Sequence, residues 1–288
     1  MTASRRISRR AERGFARLLG LALMAATVLA VADVLAFLRG AETLRLRLEF
    51  LAYLAAAVVA LGAARAFRPG DHLRPAWHLL ALNLLLVGSL ALFPGELLEG
   101  PGADERVRWA ASLVTVMANG CGLWGMMRFA LTWRRAGLVL PGSTWRRTGA
   151  GVALLAAALA AVGPDIVAMA RLALAGDVWS AAALVADLCD LALLLLFLPV
   201  FLTAWTFAGG ALAWPFGFLA ASDVAWIAFD GFQTYKGLLG LSPAAAKFVS
   251  AFLHRLAAML VLAGAAAQRM ALRRAEAGPV PQAGGGRG

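Results

Sequence analysis

Residues that carry chemistry are scarce in this sequence. Two cysteines in 288 residues, Cys121 and Cys189, supply neither a disulfide framework nor a metal-ligand spacing. Both fall in apolar runs and read as small packing residues. Histidine occurs only at His72, His78 and His254. His72 lies between apolar runs, and on helices His78 and His254 would differ in depth by roughly 18 Å, which excludes a haem held between them. There is no His-Glu-x-x-His helix and no Gly-x-Ser-x-Gly elbow. Asp187 and Asp190 share one predicted helix, whereas an aspartic dyad opposes carboxylates from two elements. Lys247 is preceded four residues earlier by Pro243, unlike the Asp-x-x-x-Lys of a microbial rhodopsin. No catalytic residue, metal site or cofactor is expected.

Charge is also sparse. Only 15% of residues are charged, and 27 basic against 16 acidic residues give a formal net charge of +11. The arginines stand in short clusters between apolar runs: Arg5, Arg6, Arg9 and Arg10; Arg65 and Arg68; Arg134 and Arg135; Arg146 and Arg147; Arg273 and Arg274. No soluble basic segment interleaved with aromatics exists, which argues against nucleic-acid binding. The clusters read instead as cytoplasmic loops under the positive-inside rule, with anionic lipid headgroups as their partner.

What the chain has in abundance is apolar length. Hydrophobic residues make up 61% of it and the mean hydropathy is +0.76. A spanning helix needs about 20 mostly apolar residues. Eight segments qualify: 16–38, 49–66, 76–94, 109–131, 149–171, 180–207, 211–229 and 243–268. The expected fold is therefore an all-α polytopic membrane bundle of about eight transmembrane helices, with both termini cytoplasmic. A basic tail at 1–15 would precede a bundle at 16–270, followed by a Gly/Pro-rich disordered tail at 271–288. The opposite loops hold acids such as Glu96, Glu99, Asp104, Glu105, Asp177 and Asp230. The first run resembles a signal peptide at Ala30-Val31-Ala32, but apolarity continues to Leu38, so an uncleaved helix is expected. Setting Trp77 against Trp214 aligns spans two and three with six and seven, though nearly all other identities are Leu or Ala.

Seven ionisable residues interrupt these runs: Asp33, Asp165, Asp187, Asp190, Asp223, His254 and Arg255. Charge at such depth is costly and usually faces a bundle interior or a water-filled cavity. With 1.5 Å of rise per residue, most of them fall in one band roughly 6–18 Å below the outer surface. Asp187 and Asp190 share a face, as do Asp223, Trp226 and Asp230, and as do Lys247, Ala251 and His254. The expectation is an outward-facing polar pocket between spans five and eight. Its ligand-binding residues would be Asp165, Asp187, Asp190, Asp223, Trp226, Lys247, His254 and Arg255, with the cations pairing the acids. Asp33 reads as solvated near the headgroups. Asn119, Gly120, Cys121, Gly122 and Gly125 mark a closely packed span, and Pro164 and Pro199 are points where a helix kinks or lines a cavity.

The run Asp187-Leu-Cys-Asp190 followed by Leu191–Leu196, then Gly209-Gly210, Trp214-Pro215 and Ala221-Ser222-Asp223, resembles the multi-pass sensory regions that precede histidine-kinase, PAS and GGDEF modules in bacterial signalling proteins. The likeness covers about a third of the chain. It implies a sensor in the bacterial cytoplasmic (inner) membrane. Here only about twenty residues follow the last span, so signalling would pass through a separate cytoplasmic partner. A proton- or cation-coupled transporter and a membrane scaffold or assembly subunit are the alternative expectations.

Overall fold

The computed structural model describes residues 2–93, 98, 104–137, 139–207 and 213–276. Glu96, Glu99, Gly209, Gly210 and the tail from 277 lie outside the described residues. Among those described there is no strand. Eight long helices follow one another: α1 (Thr2–Leu38), α2 (Glu42–Arg65), α3 (Leu73–Leu90), α4 (Glu105–Ala130), α5 (Thr144–Leu174), α6 (Val178–Thr206), α7 (Ala213–Tyr235) and α8 (Pro243–Glu276). Single turns, Thr132–Arg135 and Lys236–Leu238, sit in two of the connections.

Among the described residues, seven helices are long and apolar enough to cross a membrane. The exception is α7, which is long enough at 23 residues but carries Asp223 and Asp230 in its length. It is packed against α5, α6 and α8, so its polar face meets protein. Several helices outrun their expected spans. α1 continues back through the basic stretch to Thr2, α2 starts at Glu42 instead of 49, and α8 runs on to Glu276.

Local chemistry explains the tight connections. At the end of α1, Gly40 adopts φ 66° while Gly40 N–H and Ala41 N–H donate to Phe37 and Ala36 carbonyls at 3.0 and 2.8 Å. At the end of α5, Gly176 adopts φ 95° and the amides of Gly176 and Asp177 donate to Ala173 and Leu172 at 3.0 and 3.1 Å. Both are six-to-one helix stops that need a left-handed residue, which glycine adopts freely. Asp177 then caps α6, accepting from the Ser180 amide at 2.8 Å, and Asp104 caps α4 through the Arg106 amide at 2.8 Å. Its partner across the bundle is Arg108 of α4, whose guanidinium pairs with the Asp177 carboxylate.

Both internal prolines leave their helices continuous. Pro164 has no N–H for the Ala160 carbonyl, and the Tyr235 hydroxyl at the end of α7 donates to that oxygen instead.

α8 is the hub, touching α1, α2 and α7, while α3, α4 and α6 close the ring between α2 and α7; α5 lies outside on α6 and α7. Alanines make the closest crossings: Ala56, Ala57, Ala60 and Ala63 on α2, and Ala257, Ala258, Ala263 and Ala265 on α8, are all fully or almost fully buried. Glycine does the same on the flanks. A Cβ on Gly125 would stand 3.3 Å from the Ala76 carbonyl oxygen, and one on Gly122 would stand 3.0 Å from Asn83 Nδ2, as the small-residue stretch of α4 predicts. Gly120 faces open space. Leu21, Met24, Val28 and Leu35 on α1, and Leu113, Met117 and Trp124 on α4, remain exposed, an apolar outer surface suited to lipid. The chain is therefore a multi-pass integral membrane protein of the all-α bundle class.

α1 and α8 run antiparallel. Asp33 meets Arg255 near one end, and a Cβ on Gly14 would lie 3.6 Å from the Met270 methyl near the other. The start of α1 and the end of α8 thus share one end of the bundle with Arg65, Arg68, Arg134, Arg135, Arg146 and Arg147. The opposite end also holds arginines, among them Arg45 and Arg108, but acids are interleaved with them: Arg45 pairs with Glu42 and Arg108 with Asp177.

Candidate functional site

The intramembrane charges gather in the half of the bundle away from the termini, and they form two adjoining groups. The first joins α1, α2 and α8. Asp33 and Arg255, each 1% exposed, pair through Oδ1 and Nη2 at 2.7 Å. Lys247 Nζ lies 3.6 Å from Asp33 Oδ2, and Arg255 Nη2 lies 3.9 Å from Glu49 Oε2. Arg255 Nη1 also donates to the Ala251 carbonyl, one turn back, at 3.3 Å. Two carboxylates face two cations, so this group is electrically balanced. Asp33 is therefore not a headgroup-level residue: packing of α1 on α8 carries it into the protein.

His254, next to Arg255 on α8, forms the boundary. Its Nδ1 is 3.4 Å from Glu49 Oε1 and its Nε2 is 3.0 Å from the Tyr53 hydroxyl. The Tyr53 hydroxyl also donates to the His254 backbone carbonyl at 3.2 Å, so it braces the residue at both ring and backbone. Trp226 and Phe229 of α7 hold the other faces of the ring, with centroids 4.9 Å away in each case. The imidazole thus has the balanced ion group on one side and a cavity on the other.

That cavity, about 250 Å³, is the second group's setting. α6 contributes Asp187 and Asp190; α7 contributes Asp223, Trp226 and Asp230. Asn83 of α3 and Asn119 of α4 complete the polar lining with Ser222 and His254. No lysine or arginine is among the described lining residues. Asp223 is only 6% exposed, and its Oδ2 has no hydrogen-bond partner; Asp230 Oδ2 also has none. The neighbouring polar groups are already engaged. Ser222 donates to the Ala257 carbonyl at 2.9 Å, and the Asn83 and Asn119 amides donate to the carbonyls of Ala118 and Thr115 at 2.9 and 3.0 Å. Asp187, Asp223 and Asp230 all lie close enough to Asp190 to act on it electrostatically. Asp165 of α5 stands behind this wall, close to Asp187 and Asp230, and accepts from the Thr234 hydroxyl at 2.7 Å.

Beyond the cavity, toward the end that holds the start of α1, three aromatic rings pack on one another. Trp77 and Phe129 meet edge to face at 5.1 Å, Phe129 and Phe216 at 5.8 Å, and all three are buried. Each of these residues lies nearer that end of its helix than the cavity residues on the same helix.

The expected pocket is thus divided. Asp187, Asp190, Asp223, Trp226 and His254 line one cavity as their spacing suggested. Lys247 and Arg255 do not join them, because these cations are held by Asp33 and Glu49. Asp165 lies outside the lining, and α5 supplies none of it; α3 and α4 do. Asp230 falls within α7, not in a loop, a position its seven-residue spacing from Asp223 already hinted at. Glu49, Tyr53, Asn83 and Asn119 escaped sequence reasoning as site residues. Among the described residues, no three His, Cys, Asp or Glu groups stand close enough together to hold a metal ion.

Compared with known proteins, the chain matches no family model, no curated protein and no solved structure.

Proposed function

We propose that the chain is a receptor-like membrane bundle whose carboxylate cavity takes a positively charged ligand entering from the end opposite the chain termini. The observation that carries this reading is Asp223: a carboxylate buried in the bundle, lining a cavity, with one oxygen unpartnered and three further aspartates nearby. Buried carboxylates require compensating positive charge. The available guanidinium and ammonium groups are committed elsewhere, so that charge comes from a ligand or from protons. The arginine-rich end then faces the cytoplasm, where it meets anionic headgroups and a separate signalling partner. The ring stack of Trp77, Phe129 and Phe216 favours a dead-end receptor pocket over a carrier, since alternating access needs that stack to open.

The test uses the full chain in lipid nanodiscs, with binding of small monovalent and organic cations measured by calorimetry at constant ionic strength. Asp190→Asn and Asp223→Asn, close in shape to the native side chains, abolish the response while the melting temperature is kept. Variants that bind as the wild type does refute the reading. Cation flux into vesicles that Asp223→Asn removes would replace the receptor with the carrier.

A further inference from the structure

The placement of the cavity carboxylates points to the shape of their ligand. Asp223 and Asp230 stand seven residues apart on one face of α7, so their attachment points are separated by about 10 Å along the helix axis. Asp187 and Asp190 stand on the facing wall from α6. By position along their helices, Asp187 and Asp230 lie nearer the far end than Asp223, and Asp190 is acted on more strongly by Asp230 and Asp187 than by Asp223. The carboxyl groups are thus strung along the axis, with Asp223 at one end. No three of these groups converge on a point as a single metal ion requires.

Between the carboxylates the wall is hydrocarbon: Val87, Met126, Leu193, Leu219 and Val261 all line the cavity. Trp226 sits on the same helix face between Asp223 and Asp230, where an indole accommodates methylenes along its edge or an ammonium over its face. A volume of about 250 Å³ exceeds what one small ion fills. Two of the carboxylates, one at each end of the string, keep a buried oxygen without a partner: Asp223 Oδ2 and Asp230 Oδ2.

We infer that the ligand is an extended aliphatic di- or oligoamine, with one ammonium held at Asp223, a hydrocarbon linker along Trp226, and a second ammonium held among Asp187, Asp190 and Asp230. This rests on the reading of the cavity as a cation site and names the class of cation.

The experiment compares butylamine and hexylamine with diaminobutane, diaminohexane and spermidine on the full chain in nanodiscs of zwitterionic lipid, by calorimetry at constant ionic strength with empty nanodiscs subtracted. A second charge-assisted contact makes a diamine bind roughly tenfold or more tightly than the monoamine of equal length. Asp230→Asn reduces the diamine to monoamine affinity and leaves the monoamine unchanged, whereas Asp223→Asn weakens both. Equal affinity for mono- and diamines, or a diamine advantage that survives Asp230→Asn, overturns the inference. Binding of sodium or protons that depends on Asp223, with no amine binding, also overturns it but leaves the cation site standing. If no probe responds to Asp223→Asn, both readings fall together. Melting curves of each variant are taken first; for one that does not fold, the corresponding Asp→Glu variant, which keeps the charge and moves it, takes its place under the same criteria.

Discussion

Removing one partner of the Asp33–Arg255 pair leaves the other buried, and the cost follows from the geometry. At 2.7 Å and an effective dielectric of about 20, the attraction is about 6 kcal/mol. Withdrawing both ions from water costs several kcal/mol each, so the intact pair is close to break-even against an apolar pair of similar volume. A single substitution keeps the desolvation cost and loses the attraction. Asp33→Leu leaves Arg255 with Glu49 Oε2 at 3.9 Å as its remaining acid, and its Nε already lacks a partner. A loss of about 3 kcal/mol is expected, the low end for a broken buried pair, or more than a hundredfold in the folded-to-unfolded ratio. Arg255→Met costs somewhat less, because Lys247 remains 3.6 Å from Asp33. The double variant Asp33→Leu/Arg255→Met returns to within about 1 kcal/mol of the wild type. Lys247, 28% exposed in its side chain, can then turn toward the headgroups. Equilibrium unfolding in mixed micelles gives all four corners of the cycle. Additive losses, or single losses below about 1 kcal/mol, would refute the reasoning.

Three further outcomes are expected. Gly88→Ala sets a Cβ 2.7 Å from Tyr53 Cβ, a backbone-anchored atom that cannot swing away, so α2 and α3 must part. It should cost about 1–3 kcal/mol of stability and disturb the His254 ring signals in an NMR spectrum. Tyr53→Phe fills the same space but removes the hydroxyl from His254 Nε2; a loss of about 1 kcal/mol together with a changed His254 titration, read by NMR, is expected. Asp177→Ala removes the α6 cap and costs about 1 kcal/mol in thermal unfolding. The Ser180 hydroxyl, helped by its amide and by Arg108 against opposing desolvation, holds the Asp177 carboxyl below its ordinary value of 3.8. A lowered folded value means the contribution is complete above the ordinary carboxylate range and is lost as pH falls through the lowered value. The stability difference between wild type and Asp177→Ala should therefore shrink only in acid, and a difference that shrinks on raising the pH instead would contradict the cap.

The spans were legible because apolar length needs no tertiary information, and depth was legible because rise per residue is fixed. Azimuth was not. Asp33 and Arg255 are 222 residues apart, and no pattern within either helix says which neighbour its charged side faces. The cations were assigned to the acids of α6 and α7 because those helices are adjacent in sequence, whereas α8 turns its Arg255 side toward α1. Glu49 was lost for a different reason. Apolar length alone starts the second span at 49, which sets Glu49 at the span's edge, yet a helix from Glu42 places that residue two turns deep. Asn83 and Asn119 are polar without charge, and on a helix wall they resemble packing residues until the cavity between them is seen.

Consecutive residues on an α-helix point about 100° apart, and α8 uses this step to separate two kinds of polarity. Arg255 turns to Asp33 and Glu49, where acids and bases match in number. His254 turns to Tyr53, Trp226 and the cavity, where aspartates stand without a lysine or arginine. Polar residues that served only to fix the register of the helices would be expected to satisfy one another, as the first group does. On α8, Arg255 is one residue from His254 at the edge of the second group, and packing keeps it on the far side of the imidazole. Asp223 and Asp230 each keep a buried oxygen open as a result. A bundle that pairs one set of buried ionisable groups internally and leaves the adjacent carboxyls unpaired around a cavity is the arrangement that supports the proposed cation site.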